Sequence, residues 1–165
     1  MTIVIRRATR ADVPVILEIY NDAVLHTTAS ADYEPRSLES RYEWFEEHAR
    51  AGYSIFVAEN ETGEVVGWSS LSPYRERYGY RFTAENSIYV HPVWRGRGVG
   101  KLLLPPLLDA ARTMGLHAIL AAISADNEVS LKLHAQFGFE KVAHFKETVY
   151  KFGQWLDVVY MEKVL

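Results

Sequence analysis

With 165 residues, 48% of them apolar and 24% charged, the chain is long enough for one domain with its own core and too balanced in composition for disorder. Its formal net charge of -3 argues against nucleic acid as the main partner, and the absence of cysteine excludes disulfides, thiolate metal sites and a cysteine acyl-enzyme. No apolar run approaches the roughly 18 residues of a membrane span, and no basic, then apolar, then small-residue leader opens the sequence, so a cytoplasmic protein with no membrane contact is expected.

Thr2 to Arg7 alternates apolar and polar residues and predicts a short strand. Thr9 or Arg10 leads into a helix with Val13, Ile16, Leu17, Tyr20 and Val24 at helical spacing, and Pro14 falls in its first turn, where proline is tolerated. Residues 26–36 have no period and form a loop. Ser37 starts a second helix, with Leu38, Tyr42 and Phe45 along one side and Gly52 at its end. Three strands follow: Tyr53 to Glu59, then Val65 to Leu71 after a Thr62-Gly63 turn, then Phe82 to Val90. The loop before the last of these carries Arg75, Arg77, Arg81 and three tyrosines.

His91-Pro92 closes that strand, because proline cannot donate to a ladder. Arg95-Gly96-Arg97-Gly98-Val99-Gly100-Lys101 then opens a helix running from Gly98 to Met114. A glycine-rich turn between strand and helix lets the backbone approach a bulky partner, and the helix start directs unpaired N–H groups and its dipole toward a phosphate. The two arginines add positive charge. The spacing G-x-G-x-G differs from the dinucleotide fingerprint, and neither flank fits a P-loop, so both nucleotide readings fail. A plain surface turn is the alternative. Pro105-Pro106 lies inside this helix, where an interior proline costs about 3 kcal/mol, so a kink or break is expected there.

Leu116 to Ile123 is an almost continuous apolar run, a strand buried on both faces. Asp126-Asn127 caps a short helix that Gly138 ends, and Phe139 to Phe145 and Trp155 to Lys163 make the last two strands. The order β-α-α-β-β-β-α-β-α-β-β predicts an α/β (α+β) fold, a mixed and mostly antiparallel central sheet flanked by helices, as one domain over residues 1–165. Histidines 26, 48, 91, 117 and 144 show no metal-ligand spacing, so no metal is expected.

Arg95-x-x-Gly98-x-Gly100 after a strand and opening a helix resembles the acetyl-CoA pyrophosphate loop of the GNAT superfamily of N-acetyltransferases, and the element order is that of the GNAT fold. Asn127-x-x-Ser130, His134 and Gly138-Phe139 match the superfamily's following helix and strand. Arg81-x-Thr83-x-Glu85-x-Ser87-x-Tyr89-Val90-His91-Pro92, Leu133-His134 and Lys151-x-Gly153-x-Trp155-x-Asp157 match the phosphinothricin and methionine sulfone/sulfoximine subgroup. The resemblance covers essentially the whole chain.

It implies acetyl-CoA as co-substrate, held by Arg95, Gly96, Arg97, Gly98, Val99, Gly100 and Lys101 at the pyrophosphate, by Ile88, Tyr89 and Val90 along the strand, and by Asn127 and Ser130 at the pantetheine arm. Amide formation needs a base for the amine, a donor for the oxyanion and, at the departing thiolate, a proton. Glu85 is the expected base, against the alternative of an exposed edge-strand Glu. Val90 N–H is the expected oxyanion donor. His134 occupies the position that often holds a thiolate-protonating Tyr and is expected to protonate the thiolate or to contact the substrate; a helix-surface or satisfied, half-buried His is its alternative. Arg75, with Arg81, Thr28 and Lys151, is expected on the acceptor side, where a guanidinium suits an α-carboxylate. The expected acceptor is the α-amine of a small amino acid such as methionine sulfone, methionine sulfoximine or phosphinothricin. A polyamine, an aminoglycoside, a protein N-terminus, or a non-catalytic CoA-binding domain remain the alternatives. The resemblance also implies a homodimer, with the aromatic stretch Phe145 to Tyr160 as its candidate face.

Overall fold

The computed structural model describes residues 1–165. In chain order the elements are β1 (Val4–Arg7), α1 (Val13–His26), α2 (Leu38–Ala51), β2 (Ile55–Glu59), β3 (Val65–Pro73), β4 (Thr83–Val90), α3 (Val99–Thr113), β5 (Ala118–Ser124), α4 (Glu128–Gln136), β6 (Glu140–Lys151) and β7 (Gln154–Val164). Single 3-10 turns stand at Arg10–Asp12, Tyr78–Tyr80 and Pro92–Trp94. All seven strands join one sheet in the order β1-β2-β3-β4-β5-β7-β6, antiparallel everywhere except between β4 and β5. This is the expected mixed sheet, with every predicted element present.

Strand alternation divides the core between the two faces. Phe56, Ala58 and Leu71 pack under Val99, Leu103, Leu104 and Leu107 of α3. On the other face Ile55, Val57 and Trp68 pack against Ile16 and Ile19 of α1, with Trp44 and Phe45 of α2 beside them. The helix ends follow their capping chemistry: Ser37 Oγ accepts from Ser40 N–H, and Gly52 closes α2 in the left-handed region.

Two expectations are corrected. No break occurs at Pro105-Pro106: α3 runs through both as one helix. The prolines deprive the carbonyls of Lys101 and Leu102 of their helical donors, and both residues lie on the exposed side of the helix. The sixth strand also extends to Lys151 rather than ending at Phe145. A register shift between Phe145 and Val149 carries it past Lys146-Glu147, and a two-residue turn at Phe152-Gly153, both at positive φ, returns the chain into β7.

Candidate active site

The parallel pair β4 and β5 stays in register only from Thr83↔Ala118 to Glu85↔Leu120. Beyond Glu85 the strands separate while β5 remains fully paired with β7, so a wedge opens toward their C-terminal ends. His91 N–H donates to Val66 C=O (2.9 Å) and Tyr74 N–H to Thr83 C=O (3.4 Å), which fixes the alternation of β4. Odd-numbered residues bond β3, while Asn86, Ile88 and Val90 turn their N–H groups toward the β5 side. Ile88 and Val90 therefore present the open edge expected of an oxyanion donor and pantetheine partner. Tyr89 does not: its peptide faces β3, and its ring lies on the opposite face between Trp68 and Tyr20, with centroids 5.0 and 5.2 Å away.

The two helices that begin at the wide end of the wedge are α3 and α4. Gly96 and Gly98 hold φ of 74° and 83°, and Gly98 is the N-cap of α3, so the turn needs glycine and leaves the helix-start N–H groups free for an anion. Arg97 and Lys101 are exposed at this turn. Arg95, expected at the pyrophosphate, is instead employed within the fold: Nε donates to Val90 C=O (3.0 Å) and a terminal nitrogen pairs with Asp22 (2.9 Å). Asn127 caps α4 by accepting from Ser130 N–H (3.2 Å), which leaves its amide NH₂ free to donate.

Glu85 sits at the closed end of the wedge, half-buried, opposite Ser72 on β3. Burial raises its carboxyl above the usual range, and the Arg75 guanidinium partly offsets this. Arg75 is exposed beside the Tyr74 ring and is electrostatically coupled to Tyr160 as well. The structure thus brings Glu85 and Arg75 together. On the same face Ser87 and Tyr89 continue β4 opposite Ser70 and Trp68 of β3. With Ser72 these residues floor a cavity of about 340 Å³ whose walls are Tyr20 of α1 and Ser40, Arg41 and Trp44 of α2, with Arg36 from the preceding loop. A larger shallow groove of about 750 Å³ runs along the outer, charged face of α2 beside Arg10 and Arg50. It shares no residue with the strands that carry Glu85.

The other expected acceptor residues are placed elsewhere. Arg81 lies over the Tyr78 and Phe82 rings and donates to Tyr78 C=O (3.2 Å). Thr28 Oγ donates to Asp126 (2.9 Å). Lys151 is buried, and its ammonium donates to Thr27 C=O (2.9 Å) and Ser30 C=O (2.6 Å), so it fastens the 27–37 loop rather than facing a ligand. Tyr20 and Arg36 hold the same loop through Asp32.

His134 is only 3% exposed. Its Nδ1 lies 2.8 Å from Ser130 C=O, which makes Nδ1 the protonated nitrogen, and Nε2 then accepts from the Asn86 amide at 3.1 Å. Burial lowers its pKa, and Phe139 packs edge-to-face on the ring at 5.0 Å. A neutral imidazole with both nitrogens engaged is not a proton donor at neutral pH. The geometry is that of a residue fixing β4 beside Glu85.

Sequence reasoning missed the whole cavity wall: Arg41, Trp44, Tyr20 and the serine floor. Ser70 and Ser72, two small polar residues at alternate positions of an otherwise buried strand, were the available signal.

Against known proteins, the acetyltransferase (GNAT) family model matches residues 16–139. The L-methionine sulfoximine/L-methionine sulfone acetyltransferase of Pseudomonas aeruginosa is 44% identical over 162 residues, covering 98% of this chain and 94% of that protein. The solved structure of a GNAT superfamily phosphinothricin acetyltransferase from Sinorhizobium meliloti, in complex with acetyl-CoA, superposes with a TM-score of 0.97 at 37% identity, covering 100% of this chain and 89% of that one. A crystal structure of a ribosomal-protein-alanine N-acetyltransferase from Brucella melitensis gives a TM-score of 0.95 at 43% identity, covering 98% of this chain and 99% of that one.

Proposed function

The chain belongs to the GNAT family of acetyltransferases and is an N-acetyltransferase; we propose that it moves an acetyl group from acetyl-CoA to the α-amine of a small amino acid of the methionine sulfone, methionine sulfoximine or phosphinothricin kind. The observation that carries this reading is Glu85: a half-buried carboxylate with a raised pKa, at the closed end of the β4–β5 wedge and coupled to Arg75. In this reading residues 1–165 act as one catalytic domain in the cytoplasm.

When bound, acetyl-CoA supplies the thioester. The wedge between β4 and β5 fits it, because the open edge at Ile88 and Val90 and the free N–H groups behind Gly98 offer donors to an amide and an anion. Glu85 takes a proton from the acceptor's ammonium, directly or through a water, and frees the nitrogen lone pair to attack the carbonyl carbon. Val90 N–H donates to the oxyanion as the C–N bond forms. The nitrogen, cationic after attack, would give its second proton to solvent as collapse breaks the C–S bond, and the leaving thiolate would take a proton from solvent, since His134 holds none to give at Nε2. Arg75 receives the α-carboxylate, which must lie beside the amine and hence beside Glu85. No group of three or more His, Asp or Glu side chains is arranged to hold a metal, and the proposed chemistry needs none.

Free-thiol release from acetyl-CoA tests the reading across L-methionine sulfone, L-methionine sulfoximine, L-phosphinothricin, spermidine, an aminoglycoside and a peptide beginning with alanine. Release with the first three is expected, and Glu85→Gln should lower it at least ~100-fold with acetyl-CoA binding intact. The peptide is included because of the likeness to the Brucella melitensis protein. Release with the peptide alone would overturn the amino-acid acceptor, and full turnover by Glu85→Gln would remove the base.

A further inference from the structure

Arg41 is 6% exposed, makes no ion pair and no hydrogen bond, and lines the cavity next to Glu85. Its guanidinium lies 4.4 Å from the Tyr20 ring centre and 4.6 Å from that of Trp44, with Trp68 at 5.9 Å. Aromatic faces compensate a desolvated cation only in part, and they leave its N–H donors unused. Below it, Ser69 on the far face of β3 is bonded to Leu103 C=O, whereas the hydroxyls of Ser70, Ser72 and Ser87 on the cavity floor have no partner in the chain. Trp68 Nε1 is likewise buried without an acceptor. Burial lowers the Arg41 pKa, and a guanidinium begins so far above neutrality that it stays charged. Neutral hydroxyl donors and one buried cation converge on a single space; no carboxylate belongs to its lining, and Asp32, whose charge acts on Arg41, is spent in hydrogen bonds with Tyr20 and Arg36 of the wall. Two of these donors, Arg41 Nε and Trp68 Nε1, are buried without a partner, and the half-buried hydroxyls of Ser72 and Ser87 stand beside them, a set that suits an acceptor-rich group.

We propose that this cavity is the subsite for the tetrahedral, oxygen-bearing head group of the acceptor's side chain, with Arg41 as its charged anchor and Ser70 and Ser87 as neutral donors. The proposal rests on the amino-acid reading above and says which end of the acceptor goes where. The α-carboxylate stays at Arg75, beside the amine at Glu85. The next residue on the same face of β4, Ser87, lies about 7 Å further along the strand. A sulfur or phosphorus three bonds beyond Cα reaches roughly 4 Å, and its oxygens about 1.5 Å further, toward the Ser70–Ser87 rung and Arg41. Acceptors with an anionic phosphinate should profit most, neutral sulfones less, and plain aliphatic side chains not at all.

The test uses the full chain and a probe that cannot be acetylated. Methylphosphinate is titrated against intrinsic tryptophan fluorescence, because Trp44 and Trp68 border the cavity. Saturable binding by the wild type, weakened at least ~10-fold in Arg41→Met at unchanged melting temperature, is the expected result. Absence of saturable binding in the wild type, or equal binding by Arg41→Met, overturns the proposal. Ser87→Val provides the second arm should Arg41→Met not fold: binding weakened about as much supports the subsite, and unchanged binding refutes it. The kcat/KM for phosphinothricin separates the two levels. Methylphosphinate binding through Arg41 without acetylation of phosphinothricin keeps the subsite and rejects the acceptor. Acetylation of phosphinothricin with the same KM in Arg41→Met keeps the acceptor and rejects the subsite.

Discussion

Replacing His134 by alanine distinguishes a fixing role from an acid role. The imidazole is buried between Asn86, Ser130 and Phe139. Its removal leaves the buried Asn86 amide without its acceptor, a loss of about 1–3 kcal/mol. The edge-to-face contact with Phe139 adds about 0.5–1.5 kcal/mol, so unfolding free energy at pH 8 should fall by about 2–4 kcal/mol. The effect has a defined pH dependence. Burial lowers the folded-state pKa of His134, so below the unfolded value of about 6.5 the unfolded chain binds a proton that the folded chain does not. The wild type loses stability there and the variant does not, and the gap between them should narrow as pH falls from 8 to 5. Urea unfolding followed by tryptophan fluorescence measures both. Turnover per folded enzyme should fall less than tenfold, since no reacting atom is served by the ring. A collapse of turnover by ~100-fold or more with unchanged unfolding free energy would refute the reasoning and return His134 to general-acid duty.

Arg75→Ala removes the cation that holds the Glu85 carboxyl down against burial, so the acid limb of the kcat/KM profile should move to higher pH while KM for the amino acid rises and that for acetyl-CoA does not. An unmoved limb would place Arg75 away from the base. The exposed aromatic residues of the β6–β7 hairpin, Phe145, Tyr150, Phe152 and Trp155, offer a face for a second copy. Light scattering should return twice the chain mass of 18.9 kDa, and a mass of one chain would exclude the pairing.

Local chemistry made much of this legible. The strand before Pro92 and the glycine turn after it are properties of adjacent residues, as are the caps at Ser37 and Asn127, and all appear where the spacing put them. The strand that carries Glu85 was legible from its β-branched and aromatic residues, whereas the choice of Glu85 as base rested on the resemblance to the subgroup's strand motif. The sixth strand beyond Phe145 was not: Lys146-Glu147 interrupts its apolar pattern, and only pairing with β7 holds it in the sheet. The internal bonds of Lys151 and Arg95 were not legible, because a basic side chain near a ligand motif looks available until its acceptors are known, and those acceptors, Thr27, Ser30 and Asp22, come from residues more than 70 positions away.

The sequence by itself determined the element order, the mixed sheet and the glycine-rich helix start, because each depends on patterning within a few residues, while Glu85 as candidate base came from the likeness of its strand motif to that of the GNAT subgroup. Tertiary structure alone decided which polar groups remain unspent. It consumed His134, Lys151 and Arg95 in internal bonds, and it left Arg41, 44 residues before Glu85, facing the serines of β3 and β4. Whether a charged side chain is a ligand or a strut depends on what packs against it, and that is fixed by contacts between segments distant in the chain.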